Sequence, residues 1–128
     1  MDALPWRACV ARAAAVLLLL AVIAALRGAS AAELVMFEQA GCPWCVRWDR
    51  EIAPIYGKTD LGRRATLRRV DISAPRPADL ASIAPVRFTP TFVLTDGGAE
   101  IGRIVGYTGE YQFWGLMEEL MAKLKPAA

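Results

Sequence analysis

Two cysteines separated by two residues, Cys42 and Cys45, stand where a short apolar segment is followed by a helical pattern. The apolar segment, residues 34–37, is continuous, as expected for a strand that is covered on both faces. Residues 43–56 carry apolar side chains at spacings of three and four, which is typical of an amphipathic helix. Pro43 suits the first helical position, where a backbone N–H has no partner within the helix. A cysteine pair with this spacing at a strand-to-helix turn indicates a redox-active dithiol.

The rest of the chain predicts an α/β fold. A right-handed crossover makes the first two strands parallel, and the turn Asp96-Gly97-Gly98 adds an antiparallel hairpin. We therefore predict a four-stranded mixed sheet with three helices, placed on both faces of the sheet. Residues 58–65 are expected to form a polar connection. The predicted strands are 34–37, 66–72, 91–95 and 99–105, and the predicted helices are 43–56, 78–84 and 110–124.

The N-terminal segment has the composition of a secretory signal. Residues 13–26 are fourteen consecutive Ala, Val, Leu or Ile, preceded by arginines and followed by small residues. This run is shorter than the ~20 residues that span a bilayer. We therefore predict a signal peptide at residues 1–31, cleaved after Ala31 or alternatively after Ala32, and an exported, periplasmic domain at residues 32–128. The alternative is an uncleaved segment that anchors the protein in the membrane.

The charge of the mature domain is balanced. Of 15 basic and 13 acidic residues, three arginines and one aspartate lie in the predicted signal, so 12 of each remain. A nucleic-acid-binding protein usually carries a basic excess, so we expect no nucleic-acid partner. Cys9 also leaves with the signal, so the mature domain keeps only the pair Cys42 and Cys45. In an oxidising compartment such a pair can form a disulfide or cycle.

The helix predicts different roles for the two sulfurs. Cys42 at the N-cap would face unpaired backbone N–H groups and the positive end of the helix dipole, which favour its thiolate. Cys42 is therefore expected to be the exposed attacking thiol, and Cys45, one turn later, the shielded resolving thiol. The reaction would pass through a mixed disulfide between Cys42 and a substrate. Trp44 would offer an exposed aromatic surface to the substrate chain.

Other uses of a cysteine pair fit the sequence less well. A structural zinc site needs two more cysteine or histidine ligands, which the mature domain lacks. A structural disulfide across so short a loop would constrain little of the unfolded chain. A binding module without turnover, either a copper carrier or a chaperone, remains the main alternative. The lack of histidine and of a methionine next to the pair makes copper less favourable. We expect no metal and no cofactor.

Residues 33–125 resemble the thioredoxin superfamily. The resemblance is carried by Cys42-Pro43-Trp44-Cys45 after a strand, by Thr89-Pro90-Thr91 at the start of a strand, and by Gly106 after the hairpin. It implies that Pro90 is cis and packs against the cysteine pair. The backbone of Thr89 would then bind an extended substrate segment as an added strand, with Gly106 near the same surface. The alternatives are a trans Pro90 on an edge strand and a Gly106 that serves only as a turn residue.

The chain also departs from thioredoxin. It lacks the N-terminal strand and helix of that protein, and Met36 replaces a buried aspartate beneath the dithiol. Proton transfer at Cys45 would then use water or another group, such as Glu38. Trp44 stands where secreted dithiol oxidases often carry histidine.

The resemblance therefore implies an exported thiol–disulfide oxidoreductase that reduces protein disulfides. It would act as a monomer and receive electrons from a membrane thiol-transfer partner. Within the superfamily, the chain is similar to the periplasmic thioredoxins of sulfur-oxidation gene clusters.

Overall fold

The strand that precedes the cysteines lies at the centre of the sheet. A computed structural model describes residues 15, 16, 18 and 32–124 of the chain. Strand β1 (Ala32–Glu38) pairs in parallel with β2 (Ala65–Asp71) and antiparallel with β3 (Thr91–Asp96). Strand β4 (Ala99–Val105) pairs antiparallel with β3, which completes the order β2-β1-β3-β4. The predicted four-stranded mixed sheet is confirmed.

The chain divides into two units, residues Met1–Ser30 and Ala31–Ala128, and the elements named here belong to the second. Of the first unit the structure describes Ala15, Val16 and Leu18, which are helical. The predicted cleavage site after Ala31 lies outside the described residues, so the signal peptide stays a prediction. Within the described part of the chain, every helix is too short or too polar to cross a bilayer.

The helix that begins at the cysteines is interrupted. Helix α1 (Pro43–Glu51) is followed after Ile52 by a single further turn, α2 (Ala53–Tyr56). Pro54 lies in the first turn of α2, where it has no helical N–H to lose. The predicted helix 43–56 is therefore present but broken in the way that a proline requires.

The stretch predicted as a polar connection, residues 58–65, contains a third helix, α3 (Asp60–Arg64). The Thr59 hydroxyl oxygen caps it by accepting a hydrogen bond from the Gly62 N–H at 3.0 Å. The same hydroxyl donates to the Tyr56 carbonyl at 2.7 Å. A helix of 5 residues is too short to show apolar periodicity, which is why the pattern missed it.

The predicted helix 78–84 is wrong in kind, since only Ala78–Leu80 forms a helical turn and this turn is 3-10. Hydrogen bonds between residues three apart continue to Ile83, whose N–H donates to the Leu80 carbonyl at 3.1 Å. Leu80 and Ile83 are both buried, and a spacing of three on one face suits a 3-10 turn. The last helix, α4 (Glu110–Met121), also ends before the predicted residue 124.

The two faces of the sheet carry separate apolar clusters. Leu34 and Met36 belong to the larger cluster, which includes side chains of α1, α2 and α4. Its centre is Trp48, which is fully buried and lies 5.2 Å from Phe92 between ring centroids. On the opposite face, Val35 packs in a cluster with residues of the 3-10 segment. On this face the helical cover is a single 3-10 turn and its loop, shorter than the predicted helix.

Tyr56 joins α2 to two other elements. Its hydroxyl donates to the Ala65 carbonyl at 2.7 Å, and its ring stacks on Trp114 of α4 with centroids 6.1 Å apart. Helix α3 lies very close to the Tyr56 carbonyl. A Cβ atom at Gly62 would be only 1.9 Å from the Tyr56 carbonyl oxygen. The return of the chain from α2 to β2 therefore requires glycine at position 62.

The segment after β4 is tied to α1. The Tyr107 hydroxyl donates to Glu51 Oε2 at 2.5 Å, and the Arg47 Nε donates to Glu51 Oε1 at 2.9 Å. The Arg47 guanidinium also lies 5.6 Å from the centroid of the Tyr107 ring. Since Tyr107 directly follows Gly106, these contacts fix the position of that glycine relative to the helix that carries Cys45.

We predict that Gly62→Ala lowers the free energy of unfolding by about 2 kcal/mol or more, because the added methyl group collides with backbone atoms. Gly57→Ala is the matched control: its φ is −67° and a Cβ there meets no atom within 4 Å. The control should leave the free energy of unfolding unchanged or raise it by up to about 1 kcal/mol. Chemical denaturation of both variants checks this, and an equal loss in both would contradict the steric argument.

We also predict that Glu51 makes folding sensitive to acid. The hydrogen bonds from Tyr107 and Arg47 hold the pKa of the Glu51 carboxyl below its usual range. Its stabilising effect is therefore fully present above the ordinary glutamate pKa of about 4.3 and is lost as pH falls through the lower folded value. Glu51→Gln should flatten the decline of stability below about pH 4, measured by denaturation across a pH series. Glu119→Gln, on an exposed position of α4, should retain the wild-type decline.

Candidate functional site

The two cysteines form a disulfide at the start of α1. Cys42 is the N-cap residue, with φ −79° and ψ 108°, and its Cα lies 5.3 Å from that of Cys45. The Cys42 Sγ accepts a hydrogen bond from the Cys45 backbone N–H at 3.1 Å. The predicted N-cap position is confirmed, and a backbone N–H aimed at this sulfur is a contact that stabilises a thiolate once the disulfide is reduced.

The two cysteines differ less in solvent exposure than predicted. Cys42 is 8% exposed and Cys45 is 4% exposed, so their order is as expected but Cys42 is not an openly exposed residue. Both belong to the larger core cluster, together with Met36, Phe92 and Tyr107, which are distant in sequence. Packing from these residues covers the pair, which the local sequence pattern does not reveal.

One side of the disulfide opens into a groove of about 340 Å³. Both cysteines line it, together with Val46 and three carboxylate residues. The carboxylates come from β1, α1 and the end of β2, and are Glu38, Asp49 and Asp71. The cysteine pair therefore borders a space that solvent can enter.

The Thr89–Pro90 peptide bond is cis, as the resemblance implied. Pro90 is buried, and its carbonyl accepts a hydrogen bond from the Gly106 N–H at 2.7 Å. Gly106 has a φ of +83°, which favours glycine at this position. The structure thus brings Pro90 and Gly106 together, with the partly exposed Thr89 beside them.

The strand register places these residues at the same end of the sheet as the disulfide. Phe37, near the end of β1, pairs with Thr91, and Thr91 pairs with Val105 of β4. Cys42 follows β1, Pro90 precedes β3, and Gly106 follows β4, so all three lie at this end. The candidate site is therefore formed by the ends of three neighbouring strands.

Exposed apolar side chains lie close in sequence to each part of the candidate site. Trp44 is 54% exposed, as expected for the residue between the cysteines. Sequence reasoning missed Val46, Phe88 and Val105, which are also exposed and adjoin Cys45, the cis proline segment and Gly106 respectively. Exposed apolar residues concentrated at one place indicate a surface for a partner or substrate. The signal for Phe88 and Val105 was their closeness in sequence to Pro90 and Gly106.

A charged network borders the groove. The Arg69 Nη2 donates to Glu38 Oε2 and to Asp49 Oδ1, both at 2.6 Å, and so links β2 to β1 and α1. Hydrogen bonding to Glu38 holds the pKa of Arg69 above its ordinary value. Arg69 pairs across the sheet with Met36, which is fully buried. The position that carries an aspartate in thioredoxin is thus apolar here, and the nearby carboxylates lie at the groove instead.

A model of the thioredoxin-like domain matches residues 21–121. A search of curated proteins finds no significant match. Among solved structures, the chain is similar to the periplasmic thioredoxin SoxS from Paracoccus pantotrophus, with 48% identity, a TM-score of 0.71, and coverage of 73% of this chain and 99% of that one. A thioredoxin from Thermus thermophilus shares 27% identity, with a TM-score of 0.57 and coverage of 72% and 75%. A thioredoxin-fold protein from Helicobacter pylori shares 25% identity, with a TM-score of 0.56 and coverage of 70% and 68%.

These similarities confirm the thioredoxin-like fold and the resemblance drawn from the sequence. They extend over the strands and helices that position the disulfide, the cis proline and Gly106. The chain therefore belongs to the thioredoxin-like domain family and is a thiol–disulfide oxidoreductase, in which Cys42 and Cys45 form a disulfide.

Proposed function

We propose that this protein is exported to the periplasm and there reduces disulfide bonds in other proteins through Cys42 and Cys45. The observation that carries the proposal is the disulfide at the N-terminus of α1, in which Cys42 is the more exposed residue and accepts a backbone N–H. The similarity to a protein described as a periplasmic thioredoxin supports both the compartment and the reaction.

The reaction begins from the dithiol. The Cys42 thiolate attacks a substrate disulfide, so that a Cys42–substrate disulfide forms and one substrate thiolate leaves and takes a proton. Cys45 then loses its proton and attacks the Cys42 Sγ, which releases the second substrate thiolate. Two electrons have passed to the substrate, and the protein is left with the Cys42–Cys45 disulfide seen in this structure. A membrane thiol-transfer partner restores the dithiol.

The substrate is an extended segment that lies across the end of the sheet. The backbone of Thr89 pairs with it as an added strand, beside the cis Pro90 and Gly106. Trp44 and Phe88, which are 54% and 67% exposed, contact its side chains. Binding through the backbone suits an enzyme that acts on many sequences, since the contacts to side chains are few.

The direction of electron flow follows from the same resemblance. Trp44 takes the place of the histidine that dithiol oxidases often carry, and the similar protein from Paracoccus pantotrophus is described as a thioredoxin. We therefore assign the protein the role of a reductant. It acts as a monomer, with the site formed within a single chain.

The Cys45→Ser variant should trap substrate proteins on Cys42 as covalent adducts that a reducing agent releases, because the resolving thiol is missing. Cys42→Ser is the matched control and should trap none. The reduced wild-type protein should also reduce a small disulfide-bonded protein faster than its oxidised form oxidises the reduced one. Absence of adducts would favour a binding module that holds a copper ion or an unfolded chain, and faster oxidation would reverse the assigned direction.

Export is tested by fusing residues 1–32 to a reporter enzyme that is active only outside the cytoplasm. We expect activity from this fusion and none from the same reporter without these residues. Comparison of the size and the soluble or membrane fraction of the mature protein separates a cleaved signal from an uncleaved anchor. A fusion that stays inactive would contradict the predicted signal at residues 1–31.

A further inference from the structure

The resolving step requires a group that accepts the proton of Cys45. Cys45 is 4% exposed, and the groove that both cysteines line offers its proton a path to solvent. Glu38, Asp49 and Asp71 are the titratable side chains that border this groove beside the cysteines. The groove has a volume of about 340 Å³, which is room for several water molecules at about 30 Å³ each. A carboxylate can therefore reach the thiol through water.

The three carboxylates differ in position. Asp49 lies four residues after Cys45 on α1, and residues at this spacing are neighbours on one face of a helix. Glu38 ends β1 and gives both of its oxygens to Arg69. Asp71 ends β2, and its Oδ1 accepts a hydrogen bond from the Ser73 N–H. Asp49 is the carboxylate that shares a helix face with Cys45.

Arg69 holds Asp49 through one oxygen only. The bond of 2.6 Å runs from Arg69 Nη2 to Asp49 Oδ1, while the same guanidinium binds both oxygens of Glu38. The guanidinium also lies 6.0 Å from the centroid of the Trp48 ring, which is fully buried. This anchoring fixes the Asp49 side chain beside the groove, where it remains partly accessible to water, with 39% of its side chain exposed.

We propose that Asp49, positioned by Arg69, accepts the Cys45 proton through groove water as the Cys45 Sγ attacks the mixed disulfide. The S–S bond between Cys42 and the substrate breaks as the Cys45–Cys42 bond forms, and the departing substrate thiolate takes a proton from solvent. Asp49 then releases the proton that it took from Cys45 to solvent, so that charge and protons balance. This inference rests on the proposed function, because it concerns the second step of that reaction.

The groups around Cys45 give the step its pH dependence. Besides Asp49, they are Glu38 from β1, Arg69 and Asp71 from β2, Cys42 itself, and Tyr107, which packs in the same core cluster. If Asp49 takes the proton during the attack, the protein itself supplies the general base of the second step. Without Asp49, the Cys45 proton must be lost to solvent before the thiolate attacks, so the rate of the second step should rise more steeply with pH.

The test is a single-turnover reaction of the reduced full-length protein with an aromatic disulfide whose thiolate absorbs visible light. The first equivalent of thiolate is released when Cys42 attacks, and the second is released when Cys45 resolves the mixed disulfide. In Asp49→Asn we expect an unchanged first phase and a second phase slowed about a hundredfold near pH 6, with a rate that climbs with pH. Asp71→Asn removes the same charge from the same groove and should leave both phases as in the wild type. Arg69→Lys, which keeps the cation, should largely retain the wild-type pH profile, whereas Arg69→Gln should not.

Several results would overturn the inference. A second phase in Asp49→Asn with the wild-type rate and pH profile would exclude Asp49 as the proton acceptor. Equal slowing of both phases would show a structural role, and the same effect in Asp71→Asn would show a general effect of groove charge. A wild-type protein that releases neither equivalent would instead overturn the proposed function, and this inference with it.

Discussion

The pairing of β1 on both of its edges is the constraint from which the site follows. Because β1 lies between β2 and β3, its residues are held at fixed positions relative to both neighbours. The chain that leaves β1 must therefore begin its helix directly above the ends of these strands. The cysteine pair, the cis proline and Gly106 come together for this reason, although more than sixty residues separate Cys42 from Gly106.

Local patterns in the sequence were enough to predict the sheet and the dithiol. Continuous apolar runs predicted β1 and β3, and the Asp96-Gly97-Gly98 turn predicted the hairpin. Pro43 after Cys42 predicted the start of α1. The failures occurred where the signal was short. A helix of 5 residues and a single 3-10 turn have too few residues for their periodicity to be recognised.

The surroundings of the dithiol could not be predicted, because they depend on contacts between distant segments. Cys42 shares a core cluster with Tyr107 and Phe92, which no local pattern connects with it. The Arg69 network depends on the parallel register that sets Met36 opposite Arg69, and a shift of one residue would turn Arg69 to the other face. A sequence that contains several arginines in this region does not show which of them reaches the site.

Met36 changes the electrostatic setting of the reaction. A carboxylate at this fully buried position would have to be desolvated, and burying an unpaired charge is strongly unfavourable. Glu38 and Asp49 instead keep 29% and 39% of their side chains exposed. Charges in such positions interact through water, so their influence on the cysteines is subject to screening by salt in a way that a buried group would not be.

The hydrogen bond from Gly106 to the Pro90 carbonyl has a consequence for molecular recognition. It continues the contact between the β3 and β4 segments beyond the last strand pair, Thr91 with Val105, to Pro90, which adjoins the backbone proposed to bind the substrate. This bond restrains the backbone of the proposed docking surface before any partner arrives. On complex formation, conformational entropy is then lost by the incoming chain rather than by the enzyme. The flexibility of each target segment therefore becomes a determinant of its affinity.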